Sequence, residues 1–223
     1  MFFMSYSASL PIRRSRAVAI VICCLRLCLI LPIATRAFAA AADADSVSRE
    51  SADGYVLHQH VNDYTVTGDD GYAVRRSLDS LGPVALDGKR YDGYTRWNVH
   101  WEYATSSDAS GSCMLVSSSV ALDVEITLPQ WQHSADVPDA LQRRWSIYLD
   151  ALRTHENGHV QNGEQEATAI VDLMRSIGPQ SDCDLLDQKL QDLGQRILQH
   201  YKDNDIEYDQ HTEHGRTQGA VFP

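Results

Sequence analysis

Positive charge is scarce in most of this 223-residue sequence. Five of its 19 Lys and Arg residues lie within residues 1–39, a stretch that contains no acidic residue. Residues 40–223 therefore carry 14 basic against 30 acidic side chains, a formal charge of −16. A surface of this sign repels nucleic acid and anionic lipid. We expect no nucleic-acid partner, and no membrane partner for the chain beyond residue 39.

The sequence also lacks an uninterrupted apolar run long enough to span a bilayer. Arg26 separates two apolar stretches, residues 17–25 and 27–34, and an arginine in mid-membrane is costly. A basic head precedes these stretches, and a small-x-small triplet follows at residues 37–39, which completes the three-part pattern of a secretory signal. We predict that residues 1–39 are a cleaved signal peptide and that the protein is secreted or periplasmic. The alternative is a retained membrane anchor.

Cysteine is scarce after the signal segment. Three of the five cysteines fall within residues 1–39, which leaves Cys113 and Cys183. In the oxidising compartment of an exported domain, two cysteines more often form a disulfide than stay free. We expect a Cys113–Cys183 disulfide that joins the strand region to the C-terminal helices. The rival interpretation is a thiolate ligand or nucleophile.

The chain after the signal suits a single domain at residues 54–223, preceded by a flexible leader at residues 40–53 that is rich in Ala, Asp and Ser. The first half of the domain alternates apolar and polar residues, most clearly over residues 95–103 and 120–128. This period of two is typical of half-buried strands, and Pro129 is predicted to close the second one. The strand lengths and turn spacing favour an antiparallel meander.

Helices are predicted at three places. A short helix over residues 72–81 is stopped by Gly82 and the proline after it. In the second half, apolar residues recur at three- and four-residue steps from an N-cap at Asp136 to residue 178, and again over residues 184–201. The tail from residue 208 onward has no periodicity. We therefore expect an α+β fold in which an antiparallel sheet packs on the long helix.

The sequence His-Glu-Asn-Gly-His occupies residues 155–159 of the long predicted helix. His155 and His159 are four residues apart, so they share one face and can bind one zinc ion. Glu156 borders that face and can accept a proton from water during hydrolysis. Gly158 costs a helix about 1 kcal/mol relative to alanine, which is easiest to understand if another segment approaches closely. The alternative is a solvated pair of histidines.

A catalytic zinc ion usually has three protein ligands. Metzincins place Gly and His at the eighth and eleventh positions of the motif, where this sequence has Asn162 and Gln165, so that class is excluded. Glu166 shares the face of His159 but lies about 10.5 Å further along the helix, too far for a common ion. The third ligand must come from elsewhere.

The C-terminal tail supplies the candidates. His214 is predicted as the third ligand, because Gly215 after it lets the backbone approach the metal; the alternative is a surface histidine. Asp209 could bind the second ring nitrogen of a ligand histidine, or cap a turn. Tyr208 or His211 could donate a hydrogen bond to the oxyanion of a tetrahedral intermediate, and Tyr208 could equally be a core aromatic.

These motifs also support a family resemblance. The most distinctive match is Tyr-Asp-Gln-His-Thr-Glu-His-Gly at residues 208–215, which joins the motif at residues 155–159, the two cysteines and Trp145. From residue 64 to the C-terminus the sequence resembles a bacterial domain-of-unknown-function family described as predicted secreted zinc-dependent proteases. The resemblance implies a zincin-like metalloprotease with an intact disulfide and with His214 in the metal site.

We therefore expect a zinc metallopeptidase, a hydrolase that cleaves peptide or protein substrates with Glu156 as the general base. One alternative is a zinc amidase that acts on a cell-wall peptide or amide. A second alternative is a non-catalytic binding module in which zinc is structural. An open metal position favours either enzyme, whereas a fourth protein ligand such as His211 favours the module.

Overall fold

The computed structural model describes residues 46–223, so the signal peptide predicted at residues 1–39 lies outside the described part. Within this part, the chain forms four strands, three helices and a short 3-10 turn. The strands are β1 (Ser46–Glu50), β2 (Val56–Thr67), β3 (Tyr94–Ser107) and β4 (Cys113–Gln132); the helices are α1 (Gly71–Leu81), α2 (Asp139–Ser176) and α3 (Cys183–Thr212), and the 3-10 turn is Arg216–Gln218. None of the described helices is long and apolar enough to cross a membrane.

The four strands form one mixed sheet in the order β1-β2-β4-β3. The outer pairs, β1 with β2 and β3 with β4, are antiparallel. The central pair is parallel along the whole of β2, from Val56 opposite Ala121 to Thr67 opposite Gln132. The prediction of an antiparallel sheet is therefore wrong for this pair, because the chain passes through α1 and β3 before β4 returns in the direction of β2. The α+β class is confirmed.

Two strand boundaries also differ from their predicted positions. Residues 46–50, assigned to the flexible leader, form the exposed edge strand β1. Pro129 does not close β4, which continues to Gln132. The last β3 partner of β4 is Tyr94, opposite Thr127, so Pro129 pairs with β2 alone. A proline is tolerated where one side of a strand needs no hydrogen bond.

The long helix α2 lies against the sheet on one side and against α3 on the other. A Cβ atom added to Gly163 of α2 would lie 3.0 Å from the indole of Trp97 on β3 and 3.3 Å from Leu122 Cδ1 on β4. This close approach places the middle of α2 directly on the apolar face of the sheet. The predicted packing of a sheet on the long helix is confirmed.

The ends of both long helices shift from their predicted positions. The N-cap of α2 is Pro138, not Asp136, and the helix begins at Asp139. Proline suits a helix start, because it has no N–H that would lack a partner there. Helix α3 continues about eleven residues beyond Tyr201, to Thr212, so most of the motif at residues 208–215 is helical. Its last turns face α2 with polar side chains, which have no apolar period to detect.

The predicted Cys113–Cys183 disulfide is present, and its Cα atoms are 5.0 Å apart. It joins the first residue of β4 to the first residue of α3. The backbone of Cys113 also exchanges two hydrogen bonds with Gln180, so this junction is fixed twice. Closing a loop of 70 residues restricts the unfolded chain and stabilises the fold by about 4 kcal/mol.

Candidate metal centre

The two histidines of the motif lie on the buried face of α2 that meets the end of α3. His155 is 3 % exposed and His159 is 6 % exposed. Four-residue spacing directs both rings to the same side of α2, and Asp205 and Asp209 share the facing side of α3 by the same spacing. The interface between the two helices therefore gathers two imidazoles and two carboxylates.

Three atoms of this group form an equilateral triangle. His155 Nε2 lies 3.3 Å from His159 Nε2, and each nitrogen lies 3.3 Å from Asp209 Oδ1. That oxygen is buried and has no hydrogen-bond partner among the described residues. Tetrahedral zinc sites with ligand distances of 2.0–2.1 Å separate their ligand atoms by about 3.3–3.4 Å. The three side chains therefore fit one face of a zinc tetrahedron.

The second ring nitrogen of each histidine is held by another side chain. Gln218 Oε1 accepts a hydrogen bond from His155 Nδ1 at 3.1 Å. Asp205 Oδ1 lies 2.9 Å from His159 Nδ1 and also accepts from Asn162 Nδ2 at 3.2 Å. A proton held on Nδ1 leaves Nε2 as the free ligand atom, and such partners commonly orient metal-binding histidines.

The charges of the cluster favour a cation. Burial lowers the pKa of His159, but its hydrogen bond to Asp205 and the negative charges of Asp205 and Asp209 raise it to about 10. Burial alone would raise the pKa of Asp209, yet the rings of His155 and His159 beside it hold this pKa well below its usual range. A site that holds a proton between carboxylates in this way can exchange that proton for a metal ion.

Glu156 lies next to the triangle and is only 3 % exposed. Thr95 on β3 donates a hydrogen bond to its Oε2 at 2.8 Å. Its Oε1 occupies the space beside Gly93, where an added Cβ would lie only 2.5 Å away. Burial raises the pKa of Glu156, against the opposing effect of His159 and His155. The carboxyl of Glu156 is thus fixed in position, and its pKa lies above the ordinary value of a glutamate.

A cleft of about 410 Å³ opens onto this group. Its walls are the segment from Ala85 to Thr95 on one side and one face of α3 on the other. The residues of the metal cluster and Glu156 lie in its wall, together with Arg75, Asp79, Leu152, Lys202, Ile206, Gln210, His214 and Ala220. The convergence of polar atoms at one point of a largely apolar cleft is typical of a binding site for a small ligand or a peptide segment.

Tyr208 lies behind the histidines, not in the cleft. Its ring stacks on His155 at 5.2 Å with an interplanar angle of 10°. Its hydroxyl donates to the carbonyl oxygen of His155 at 3.0 Å and accepts from Gln218 Nε2 at 3.1 Å. A Cβ at Gly158 would lie 2.2 Å from that hydroxyl, so the expected close approach to Gly158 is confirmed. Tyr208 therefore packs against His155 and supports its ring.

The turn after α3 brings His214 back towards the cluster. Glu213, His214 and Gly215 all have positive φ, which reverses the chain, and an added Cβ at Gly215 would lie 3.0 Å from His155. His214 Nδ1 lies 3.3 Å from Asp209 Oδ1, and its ring is 4.7 Å from that of Tyr91. The side chain is 49 % exposed and is not part of the group whose ligand atoms all lie within 4.8 Å of one another.

The structure therefore brings together His155, Glu156, His159 and Asp209, with His214 beside Asp209. His211 is exposed and does not line the cleft. Asp209 faces the Nε2 atoms, whereas the orienting role expected of it falls to two residues that the sequence analysis did not single out, Asp205 and Gln218. The four-residue spacing of Asp205 and Asp209 is a usable signal once α3 is known to extend this far. Gln218 gives no comparable signal.

Comparison with known proteins shows a match to a protein family. The family model described as "Bacterial protein of unknown function (DUF922)" matches residues 61–215, well over half of the chain. The match includes the motif at residues 155–159, Asp205, Asp209 and His214. No curated protein and no solved structure matches the chain.

Proposed function

The chain belongs to the DUF922 family, bacterial proteins of unknown function, and from the geometry of its site we propose that the protein is a zinc-dependent metallopeptidase. The observation that carries the proposal is the 3.3 Å triangle of His155 Nε2, His159 Nε2 and Asp209 Oδ1, set in the wall of a cleft beside the buried carboxyl of Glu156. Two imidazoles, one carboxylate and an adjacent glutamate are the groups that hydrolysis of an amide by a zinc enzyme requires.

His155, His159 and Asp209 would hold the ion, and His214 would face it from the cleft side. A zinc ion in this position supplies Lewis acidity, since it polarises a carbonyl group and lowers the pKa of a water molecule. Asp205 and Gln218 keep the Nδ1 protons in place, so that both Nε2 atoms present lone pairs. Tyr208 supports the ring of His155 from behind.

Glu156 would be the general base and then the general acid. Its Oε2 is fixed by Thr95, while Oε1 remains beside the glycine-lined part of the cleft. As a carboxylate, Glu156 can accept a proton from the attacking water and return it to the leaving amine.

The placement of the cluster favours an enzyme over a structural metal site. Structural zinc sites are closed by four protein ligands, whereas this triangle lines a cleft of about 410 Å³. A peptide segment is a better fit than an isolated small molecule, because the cleft extends along α3 from the triangle to Lys202. The Cys113–Cys183 disulfide supports an exported protein that works in a secreted or periplasmic setting.

The direct test is hydrolysis of a mixed peptide library by the zinc-loaded protein and by its Glu156→Gln variant. We expect the variant to retain zinc and fold while turnover falls by about 10³-fold or more, because the proton acceptor is lost. Glu164→Gln is the matched control, since Glu164 lies on the same helix, pairs with Arg49 and does not line the cleft. Full activity of Glu156→Gln, or no zinc-dependent hydrolysis by the parent, would contradict the proposal.

A further inference from the structure

Lysine is unusually rare in this chain and unusually concentrated at the cleft. The sequence contains only three lysines, Lys89, Lys189 and Lys202, in a chain of net charge −11. Two of them, Lys89 and Lys202, line the cleft that opens onto the metal cluster. The third, Lys189, is exposed elsewhere on α3 and donates to the side chain of Gln180.

The cations of the cleft differ in how far they are already neutralised. Lys89 Nζ lies 3.6 Å from a carboxylate oxygen of Asp87, and Arg75 forms an ion pair with Asp92. Arg90 forms no ion pair with the described residues, but its guanidinium is held by a hydrogen bond to the carbonyl oxygen of Gly82. Lys202 forms no ion pair with any carboxylate of the described residues. Its charge is therefore available to a bound ligand, in a cleft whose other charged groups include several carboxylates.

The position of Lys202 on α3 sets its distance from Asp209 of the metal cluster. Lys202, Ile206 and Asp209 all line the cleft, and a helix rises 1.5 Å per residue. Ile206 therefore lies about 4.5 Å, and Lys202 about 10.5 Å, from Asp209 along the axis. An extended peptide advances about 3.3–3.5 Å per residue. These offsets correspond to about one and about three residues of a peptide laid along α3.

The cleft also exposes apolar side chains near the metal cluster. Ile206 is 37 % exposed on the α3 wall, and Leu86 is 58 % exposed on the opposite segment. Apolar surface in a cleft is a favourable contact for an apolar ligand group, because its burial removes both surfaces from water. Along the α3 wall the contacts are thus ordered from Asp209 of the metal cluster to the apolar Ile206 and then to the cation Lys202.

We propose that this site recognises an acidic peptide, with an apolar side chain next to the scissile bond and an Asp or Glu carboxylate about three residues from it. Lys202 binds the carboxylate, and Ile206 with Leu86 contacts the apolar side chain. The inference rests on the proposed peptidase function for its reference point, the scissile bond. Recognition of the peptide itself needs no turnover and can be measured separately.

The test uses binding of fluorescent decapeptides to the zinc-loaded Glu156→Gln protein, measured by anisotropy. The peptides share one leucine and carry a single Glu, Gln or Lys at each position up to four residues on either side of it. We expect the Glu peptide with the acid two or three residues from the leucine to bind most tightly, and Lys202→Glu to weaken it roughly tenfold while improving the Lys peptide. Lys189→Glu, the same change on the same helix outside the cleft, should leave both unchanged.

The apolar contact is tested with a second variant and its matched control. Ile206→Ser should weaken all leucine peptides several-fold, whereas Leu193→Ser, at a residue of α3 that is 38 % exposed outside the cleft, should not. Equal binding of the Glu and Lys peptides, equal effects of Lys202→Glu and Lys189→Glu, or no binding of any peptide would each overturn the inference. A clear acidic preference in binding, with no hydrolysis by the parent protein, would uphold the recognition site and refute the peptidase proposal.

Discussion

Two sets of buried polar groups lie on α2, about two helical turns apart, and their surroundings are opposite. At the first set, His155, Glu156 and His159 each have a hydrogen-bond partner that fixes one polar atom. At the second, Glu166 is 0 % exposed and neither of its carboxylate oxygens has a hydrogen-bond partner among the described residues. Among the described residues, α2 therefore buries polar side chains with hydrogen-bond partners at one place and a carboxyl without such partners at the other.

The hydrogen-bond partners of the first set serve to orient its side chains. Partners from β3, α3 and the C-terminal turn hold the first set so that its remaining atoms point to one place. Burial, with a smaller effect from the charge of Asp205, raises the pKa of Glu166 to about 8, so this carboxyl is mostly protonated at neutral pH. A neutral buried acid needs no ligand, whereas the convergent Nε2 and Oδ1 atoms of the first set are best explained by one.

The largest effect that separates the two sets is expected at Asp209. Asp209→Ala removes one atom of the triangle, so we expect zinc affinity, measured by competition with a chelator, to fall by about 10³-fold. His214→Ala should cost about tenfold at most, because His214 is half exposed and lies outside the triangle. Asp203→Ala, at an exposed position of α3, is the control. A greater loss from His214→Ala than from Asp209→Ala would restore His214 as the third ligand.

A smaller effect on zinc affinity is expected when a side chain that orients a ligand is changed but the three ligands remain. Asp205→Asn keeps the shape of the side chain that binds His159 Nδ1 but loses its charge. We expect zinc affinity to fall about 10–100-fold, the usual consequence of losing such a partner. Asp203→Asn is the matched control. Unchanged affinity in Asp205→Asn would mean that the orientation of His159 does not depend on this carboxylate.

The smallest effect is expected at Glu166 and concerns stability alone. Its pKa is raised from 4.5 to about 8, so the folded protein is fully favoured by this group below pH 4.5 and loses that contribution as the pH rises through 8. Glu166→Gln should match the parent near pH 4.5 and exceed its free energy of unfolding by a margin that grows as the pH rises from 4.5 to 8. Urea denaturation of the metal-free protein across this range measures the difference.

Glu164→Gln, on the same helix but partly exposed and paired with Arg49, should keep the parent's pH dependence. If Glu166→Gln shows the same decline with pH as the parent, Glu166 does not have the raised pKa described above, and the contrast between the two regions of α2 fails.

Local patterns were sufficient to predict much of this molecule. The disulfide follows from two cysteines in a chain predicted to be exported, and the long helix from its three- and four-residue apolar steps. Gly158 predicted a close neighbour by its cost to the helix, and Tyr208 occupies that space. Each of these inferences depends on residues close in sequence or on the chemistry of a pair.

The remainder depends on contacts between distant segments. Strand periodicity does not encode strand direction, so the parallel pairing of β2 with β4 could not be read from it. The last turns of α3 carry Asp205, Asp209 and Thr212 on their buried side, so the apolar pattern ends before the helix does. Asp209 was consequently assigned to a loose tail and to an orienting role, although it faces both Nε2 atoms.

The most direct test of the central claim is X-ray absorption at the zinc edge on the purified protein. We predict one zinc per chain with nitrogen or oxygen ligands at about 2.0–2.1 Å, an imidazole signature, no sulfur ligand, and a lower zinc content in Asp209→Ala. A protein that retains no zinc after purification in zinc-containing buffer, or a spectrum unchanged in His155→Ala, would contradict it.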